Sequence, residues 1–174
     1  MIITGIGSRE TPDDVCARFE EMGREARTHG WWVRSGHADG ADYAFERGAL
    51  DHCIVYMPWS TFNKEKPVLG KPRSQQLRDE VLKIVYKHEP YAKKLSDGVK
   101  LIKSRNVYQV LGEDLKSPSD VVVCWTEDGE IVGGTGLAIK IAMDNDITVI
   151  NVGDPEVAKD VDNLMHNVAK WAGV

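Results

Sequence analysis

The chain predicts an α/β fold: a Rossmann-like parallel sheet with helices on both faces, in a single domain carrying an inserted loop and helix region. Three observations carry this. Short β-branched apolar runs alternate with segments of helical spacing from the first residues onward. The run Val121-Val122-Val123-Cys124-Trp125 is continuously apolar, as a strand covered on both sides is. Three glycine-rich turns each follow a strand and lead into a helix, the order produced by right-handed crossovers between parallel strands.

Taken in order, residues 1–6 read as a central strand ended by Gly5-Ile6-Gly7-Ser8-Arg9. Thr11-Pro12-Asp13-Asp14 then predicts a helix start, with a Thr cap, Pro at the first position and acids in the first turn. Val15, Phe19, Met22 and Ala26 form its apolar stripe, and Gly30 stops it. Trp31 to Ser35 reads as the second strand, which runs into Gly36-His37-Ala38-Asp39-Gly40-Ala41-Asp42 and a helix bearing Ala44, Phe45 and Ala49. Ile54 to Pro58 is the third strand.

The middle is less regular. Residues 59–74 read as a long loop, residues 75–95 as a helix that Pro90 kinks or ends, and Arg105 to Gly112 as a short helix headed by Arg105-Asn106. Residues 59–115 are thus expected to be an elaboration, inside one domain of residues 1–174, at the ligand-bearing edge of the sheet. The pattern then recovers. A strand over 120–126, a turn at Glu127-Asp128-Gly129-Glu130, a helix after Thr135, a strand over 147–152 and a helix over 156–171 complete the chain.

The bulk composition excludes several classes. The 174 residues carry a net charge of −5, so no global basic field attracts nucleic acid. A local basic groove remains open, because Lys64, Lys66, Lys71, Arg73, Arg78, Lys83 and Lys87 cluster in the insert. Cys16, Cys53 and Cys124 are widely spaced and lie in apolar patterns, which predicts free thiols in a reducing compartment and no zinc site. With no charged leader and no bilayer-length apolar run, a cytoplasmic protein without membrane contact is expected.

Function is expected where the three turns converge on one rim. A glycine-rich turn at a helix N-terminus offers unpaired N–H groups and partial positive charge, a seat for phosphate or carboxylate. Gly133, Gly134, Thr135 and Gly136 form the strongest such seat, whose alternative is a cap with glycines for close packing. It is no P-loop, since the Lys-Ser/Thr pair is missing and Lys140 lies too deep in the helix. Gly7, Ser8 and Arg9 flank it; Glu10 stands where a dinucleotide fingerprint requires a third glycine, which argues against a dehydrogenase. In the second turn Ser35, Gly36 and Gly40 allow close approach, and Asp42 either orients a sugar or base or complements the helix dipole. His37 is a candidate base or an exposed loop residue. Arg105 can bind phosphate bidentately, and Asn106 can read a base edge or cap. Trp125 and Trp59 are candidates for stacking; Trp31, Trp32 and Trp171 read as packing.

Together, Gly7-Ser8-Arg9, the segment Ser35-Gly36 through Gly40-Ala41-Asp42, and Gly133-Gly134-Thr135-Gly136 resemble the SLOG superfamily, which includes the DprA (Smf) and LOG families. Arg105 to Gly112 and Ser117-Pro118-Ser119-Asp120 resemble the small DprA-like proteins of phage genomes. The resemblance implies a nucleotide or nucleic-acid ligand at the turns and a homo-oligomer. Where LOG enzymes carry a glutamate pair, Ile139 and Lys140 stand here, and no counterpart of the winged-helix extension of DprA is expected. Three readings follow. The first is binding of a phosphate-containing nucleotide-derived ligand, with no cofactor or metal required. The second is DprA-like binding of single-stranded DNA. The third is a nucleotide N-glycosidase, for which Asp42, Asp39 and Glu130 are the candidate carboxylates.

Overall fold

The computed structural model describes residues 1–159 and Val168. Its strands are β1 (Ile2–Gly7), β2 (Trp32–Ser35), β3 (Cys53–Met57), β4 (Lys71–Ser74), β5 (Val121–Trp125) and β6 (Thr148–Asn151). Its helices are α1 (Asp13–Thr28), α2 (Ala41–Ala49), α3 (Asp79–His88), α4 (Asp97–Leu111), α5 (Gly133–Asp144) and the single turn α6 (Pro155–Ala158). Among the described residues the strands form one six-stranded sheet in the order β4-β3-β2-β1-β5-β6, with parallel pairing throughout.

The pleat sends alternate side chains into two cores. Val121 and Val123 join Phe19, Met22 and Phe45 under α1 and α2. Val122 and Cys124 join Val81, Val107 and Leu137 under α3, α4 and α5. Helices thus cover both faces, as expected of an all-parallel sheet. The packing on the first face depends on missing side chains. A Cβ on Gly5 would stand 2.3 Å from the Phe45 ring, and one on Gly48 would stand 2.0 Å from the Glu20 carbonyl oxygen.

The insert differs from its expected form. The segment 59–74, expected to be a loop throughout, ends in β4, an exposed edge strand. Lacking any apolar face and containing Pro72, it carries no strand signal in sequence. Pro90 ends α3 as expected, and a 3-10 turn, Pro90–Lys94, follows. The helix expected to begin at Arg105 begins at Asp97, where the Ser96 hydroxyl accepts the Val99 N–H at 3.5 Å. Arg105 and Asn106 are therefore mid-helix residues, not caps. Every residue from Ser104 to Leu111 is buried, including the polar Ser104, Arg105, Asn106 and Gln109, so this part of α4 has no solvent-facing side to set against a core-facing one.

Smaller departures occur at helix starts. Thr11 does not cap α1; its hydroxyl donates to the Ser8 carbonyl at 2.6 Å, and the helix starts after Pro12. α5 starts at Gly133, two residues earlier than Thr135, so its glycines form the first helical turn. Most of the helix expected over 156–171, with Trp171, lies outside the described residues. All three cysteines are free thiols. Burial pushes the Cys124 thiol up to about 12. Among the described residues no helix is long and apolar enough to cross a membrane.

The strand order sets the site. From β1 the chain winds one way, through β2 and β3 to β4; from β5 it winds the other way, to β6. The order reverses between β1 and β5, and the crevice beyond their carboxyl ends is where such sheets bind ligands.

Candidate functional site

A cavity of about 430 Å³ opens at that reversal, within the size range of small-molecule sites. β1 and its turn contribute Gly7, Ser8 and Arg9; α4 contributes Ile102, Arg105 and Asn106; α5 contributes Gly133, Gly134 and Thr135.

The first turn of α5 is the polar floor. The Gly136 amide bonds to the Val132 carbonyl at 2.8 Å, so the amides of Gly133, Gly134 and Thr135 precede the first intrahelical bond and have no partner within the helix. Thr135 is buried, whereas the two glycines are exposed. Gly136 does not line the cavity. A Cβ there would stand 2.7 Å from the Ile131 backbone, so it serves the close return of the preceding loop.

On the opposite wall, the Ser8 hydroxyl accepts the Glu10 amide at 3.1 Å, which shapes the turn and leaves its own hydrogen to donate. Arg9 is exposed and lines the cavity. Two exposed carboxylates not selected from the sequence, Glu10 and Glu127, also line it.

The second turn is tied to itself. Asp42 is 1% exposed, and its two oxygens accept the Gly7 amide at 3.2 Å and the Gly36 amide at 3.1 Å. This carboxylate joins the β1 and β2 turns across the sheet. Burial raises it to about 6, against the pull of Arg105 and of the two amides. The Ser35 hydroxyl is buried and donates to the Asp42 carbonyl at 2.7 Å. Gly40, with φ of 77°, packs so tightly that a Cβ would stand 2.4 Å from the Ser8 carbonyl. Ser35, Gly36 and Gly40 support the rim from behind; of this turn, Ala38 and Asp42 reach the cavity.

Arg105 and Asn106 enter from α4. One terminal nitrogen of Arg105 donates to the Gly36 carbonyl at 2.9 Å, and the guanidinium lies 5.1 Å from the centre of the Phe62 ring. Burial lowers its pKa, and Asp42 works against that. Asn106 is 1% exposed, and its Nδ2 donates to the Gly134 carbonyl at 3.0 Å.

Other candidates fall elsewhere. His37 is fully buried, and its Nδ1 lies 2.7 Å from Glu46, whose second oxygen accepts the Leu69 amide at 2.6 Å. This pair straps the insert to α2 and does not line the cavity at the strand-order reversal. Asp39 pairs with Lys66 at 2.6 Å. Glu130, Trp125, Trp59 and Lys140 do not line the cavity. The Ser117 to Asp120 block holds the opposite end of the sheet: Asp120 accepts the Ile2 amide at 2.6 Å, and Arg34 donates to the Ser117 carbonyl at 2.7 Å.

No protein-family model matches the chain. No curated protein matches its sequence. Solved structures do match. DNA processing protein A from Helicobacter pylori, studied for its single-stranded DNA binding mode, aligns at 16% identity with a TM-score of 0.62, covering 98% of this chain and 80% of that one. The Moco carrier protein of Chlamydomonas reinhardtii aligns at 17% identity with a TM-score of 0.62, covering 99% and 98%. DprA from Streptococcus pneumoniae aligns at 12% identity with a TM-score of 0.54; the match covers 97% of this chain and 55% of that one. The chain therefore has the DprA-like Rossmannoid fold.

Proposed function

We propose that the cavity binds a phosphate-bearing, nucleotide-derived small molecule. The observation that carries this is the convergence of three independent cationic or amide groups on one cavity at the strand-order reversal: the open first turn of α5, the exposed Arg9 and the buried Arg105. The α5 amides and the Thr135 hydroxyl hold the phosphate, the two arginines offset its charge, and Ile102 and Val132 give the organic part an apolar wall. Asp42 acts as the clamp that fixes the rim, because both its oxygens are already engaged. The ligand needs no metal or separate cofactor to be held this way. The free thiols, two of them fully buried, favour a reducing, cytoplasmic setting.

Titration calorimetry with AMP, ADP-ribose, NAD and cyclic nucleotides tests the proposal. At least one is expected to bind in the micromolar range without turnover, and Arg9→Gln is expected to weaken it about fivefold at low salt. A folded protein that gives no heat with any of them overturns the reading.

DprA-like binding of single-stranded DNA is the second reading, favoured by the likeness to the H. pylori protein. Against it, the basic residues of the insert are largely engaged: Lys66 with Asp39, Arg73 with Glu113, Arg78 with Glu80 and Lys87 with Asp144. A shift of single-stranded DNA that weakens steeply with salt supports this reading. The third reading, N-glycosidic cleavage, finds Asp42 occupied and Glu130 outside the cavity. Release of free base from a nucleotide panel tests it.

A further inference from the structure

Asp42 and Arg105 line the cavity that holds the oxyanion seat, and both are bonded to Gly36. The Gly36 amide donates to Asp42 Oδ2 at 3.1 Å, and the Gly36 carbonyl accepts from Arg105 at 2.9 Å. The two residues are 1% and 6% exposed, so little water screens one from the other. Arg105 is the charge that favours the ionised form of Asp42 most. An oxyanion in the cavity draws on that same guanidinium and brings a second negative charge near a carboxylate that burial already disfavours. A proton on Asp42 relieves both effects.

The structure has a place for that proton. The Gln109 carboxamide is buried, and neither its oxygen nor its nitrogen has a hydrogen-bond partner. Asp42 Oδ2 and Gln109 Oε1 lie 2.6 and 2.8 Å from one point, the position a Cβ on Gly36 would take. A carboxamide serves a neighbour in either state: its NH₂ donates to a carboxylate, and its oxygen accepts from a carboxylic acid. Gln109 does not line the cavity, so a ligand there does not compete for it. The other charged groups around Asp42 are placed differently. Arg9 and Glu10 of the β1 turn and Glu127 of the β5 turn are exposed. In the turn of Asp42 itself, Asp39 pairs with Lys66, and His37 is closed onto Glu46 of α2. Burial holds the Cys53 thiol of β3 far above its ordinary value.

We propose that oxyanion binding in this cavity is coupled to the uptake of one proton by Asp42, so that the site fills as its surroundings turn acid and empties as they turn alkaline. The proton comes from water, binds Asp42 Oδ2 and is donated to Gln109 Oε1. That oxygen keeps a lone pair for the Gly36 amide, so the clamp on the rim stays closed. In the free protein the midpoint is about 6. The ligand moves it higher, and by linkage the protonated form binds the ligand more tightly. The inference rests on the oxyanion seat proposed above and adds its regulation.

The test is carbon NMR of the Asp42 carboxyl group, followed against pH in the free protein and at saturating sulfate, AMP or NAD. Ligand is expected to raise the midpoint by about one pH unit. Calorimetry with sulfate and NAD, whose acid groups stay ionised over the range, should show affinity rising about tenfold from about pH 8 to about pH 5. AMP is kept to the NMR measurement, because its phosphate takes up a proton of its own there. Asp42→Asn should flatten the rise in affinity, whereas Glu10→Gln and Glu127→Gln should keep it. A wild-type midpoint that ligand leaves in place overturns the inference and leaves the oxyanion seat standing; this result needs no variant to fold. A rise that persists in folded Asp42→Asn, or is lost in either glutamate variant, also overturns it. A folded protein that binds none of the three probes overturns both readings.

Discussion

The turns at 36–42 and 133–136 read alike in sequence, yet they do opposite things in the structure. Each is rich in glycine, follows a parallel strand and begins a helix. The first has an acid in the opening turn of its helix, and that acid folds back onto the turn's own amide. The second has no acid in its opening turn, and its amides stay open to the cavity. On the reading proposed above, a glycine-rich turn is free to seat a ligand only when the chain supplies no acceptor of its own to fill it.

The largest expected effect lies in the closed turn. Gly40→Ala must place a methyl group against the Ser8 carbonyl at a backbone angle that disfavours side chains. Denaturant unfolding should show a loss of roughly 4 kcal/mol, combining overpacking with left-handed strain. A variant as stable as the wild type would mean that the β1 and β2 turns are not locked together.

The next effect concerns pH. Asp42 is raised from its ordinary 3.8 to about 6, so the folded state takes up this proton before the unfolded chain does. Its contribution to stability is therefore greatest below about pH 4, declines as pH rises to about 6, and is constant above; the total is on the order of 3 kcal/mol. Asp42→Asn should remove that slope from a series of urea titrations across pH. An unchanged slope would assign the titration to another group.

The open turn should tolerate what the closed one does not. A Cβ on Gly134 meets only the end of the Asn106 side chain, at 3.3 Å. Gly134→Ala should alter stability by less than about 1 kcal/mol, since alanine favours the helix, while weakening the AMP or ADP-ribose response about threefold. A large loss of stability with intact binding would reverse the contrast between the turns.

The sequence discloses the elements whose signals are local. The apolar runs of β1, β3 and β5, the glycine at the end of α1 and the three turns stand where their residues predict. Elements defined by tertiary surroundings are not disclosed. β4 joins the sheet by backbone pairing with β3 and shows no apolar face. The second half of α4 buries its polar residues along with its apolar ones, so Arg105 and Asn106 look like an exposed helix head rather than a buried middle. Within the site, the open amides and the two arginines are legible because their chemistry is intrinsic. The engagement of Asp42 and the burial of His37 against Glu46 are not, since both depend on distant backbone groups. Ile102, Glu10 and Glu127 belong to no motif and reach the cavity only through the packing of their elements.

At the outer margin of the sheet, Pro72 contributes no N–H, and Lys71 and Arg73 place positive charge on either side of it. A proline and flanking positive charge disfavour the addition of another backbone to that side. The same features that leave β4 without a recognisable strand signal make this margin a poor template for edge-to-edge growth of one sheet onto another.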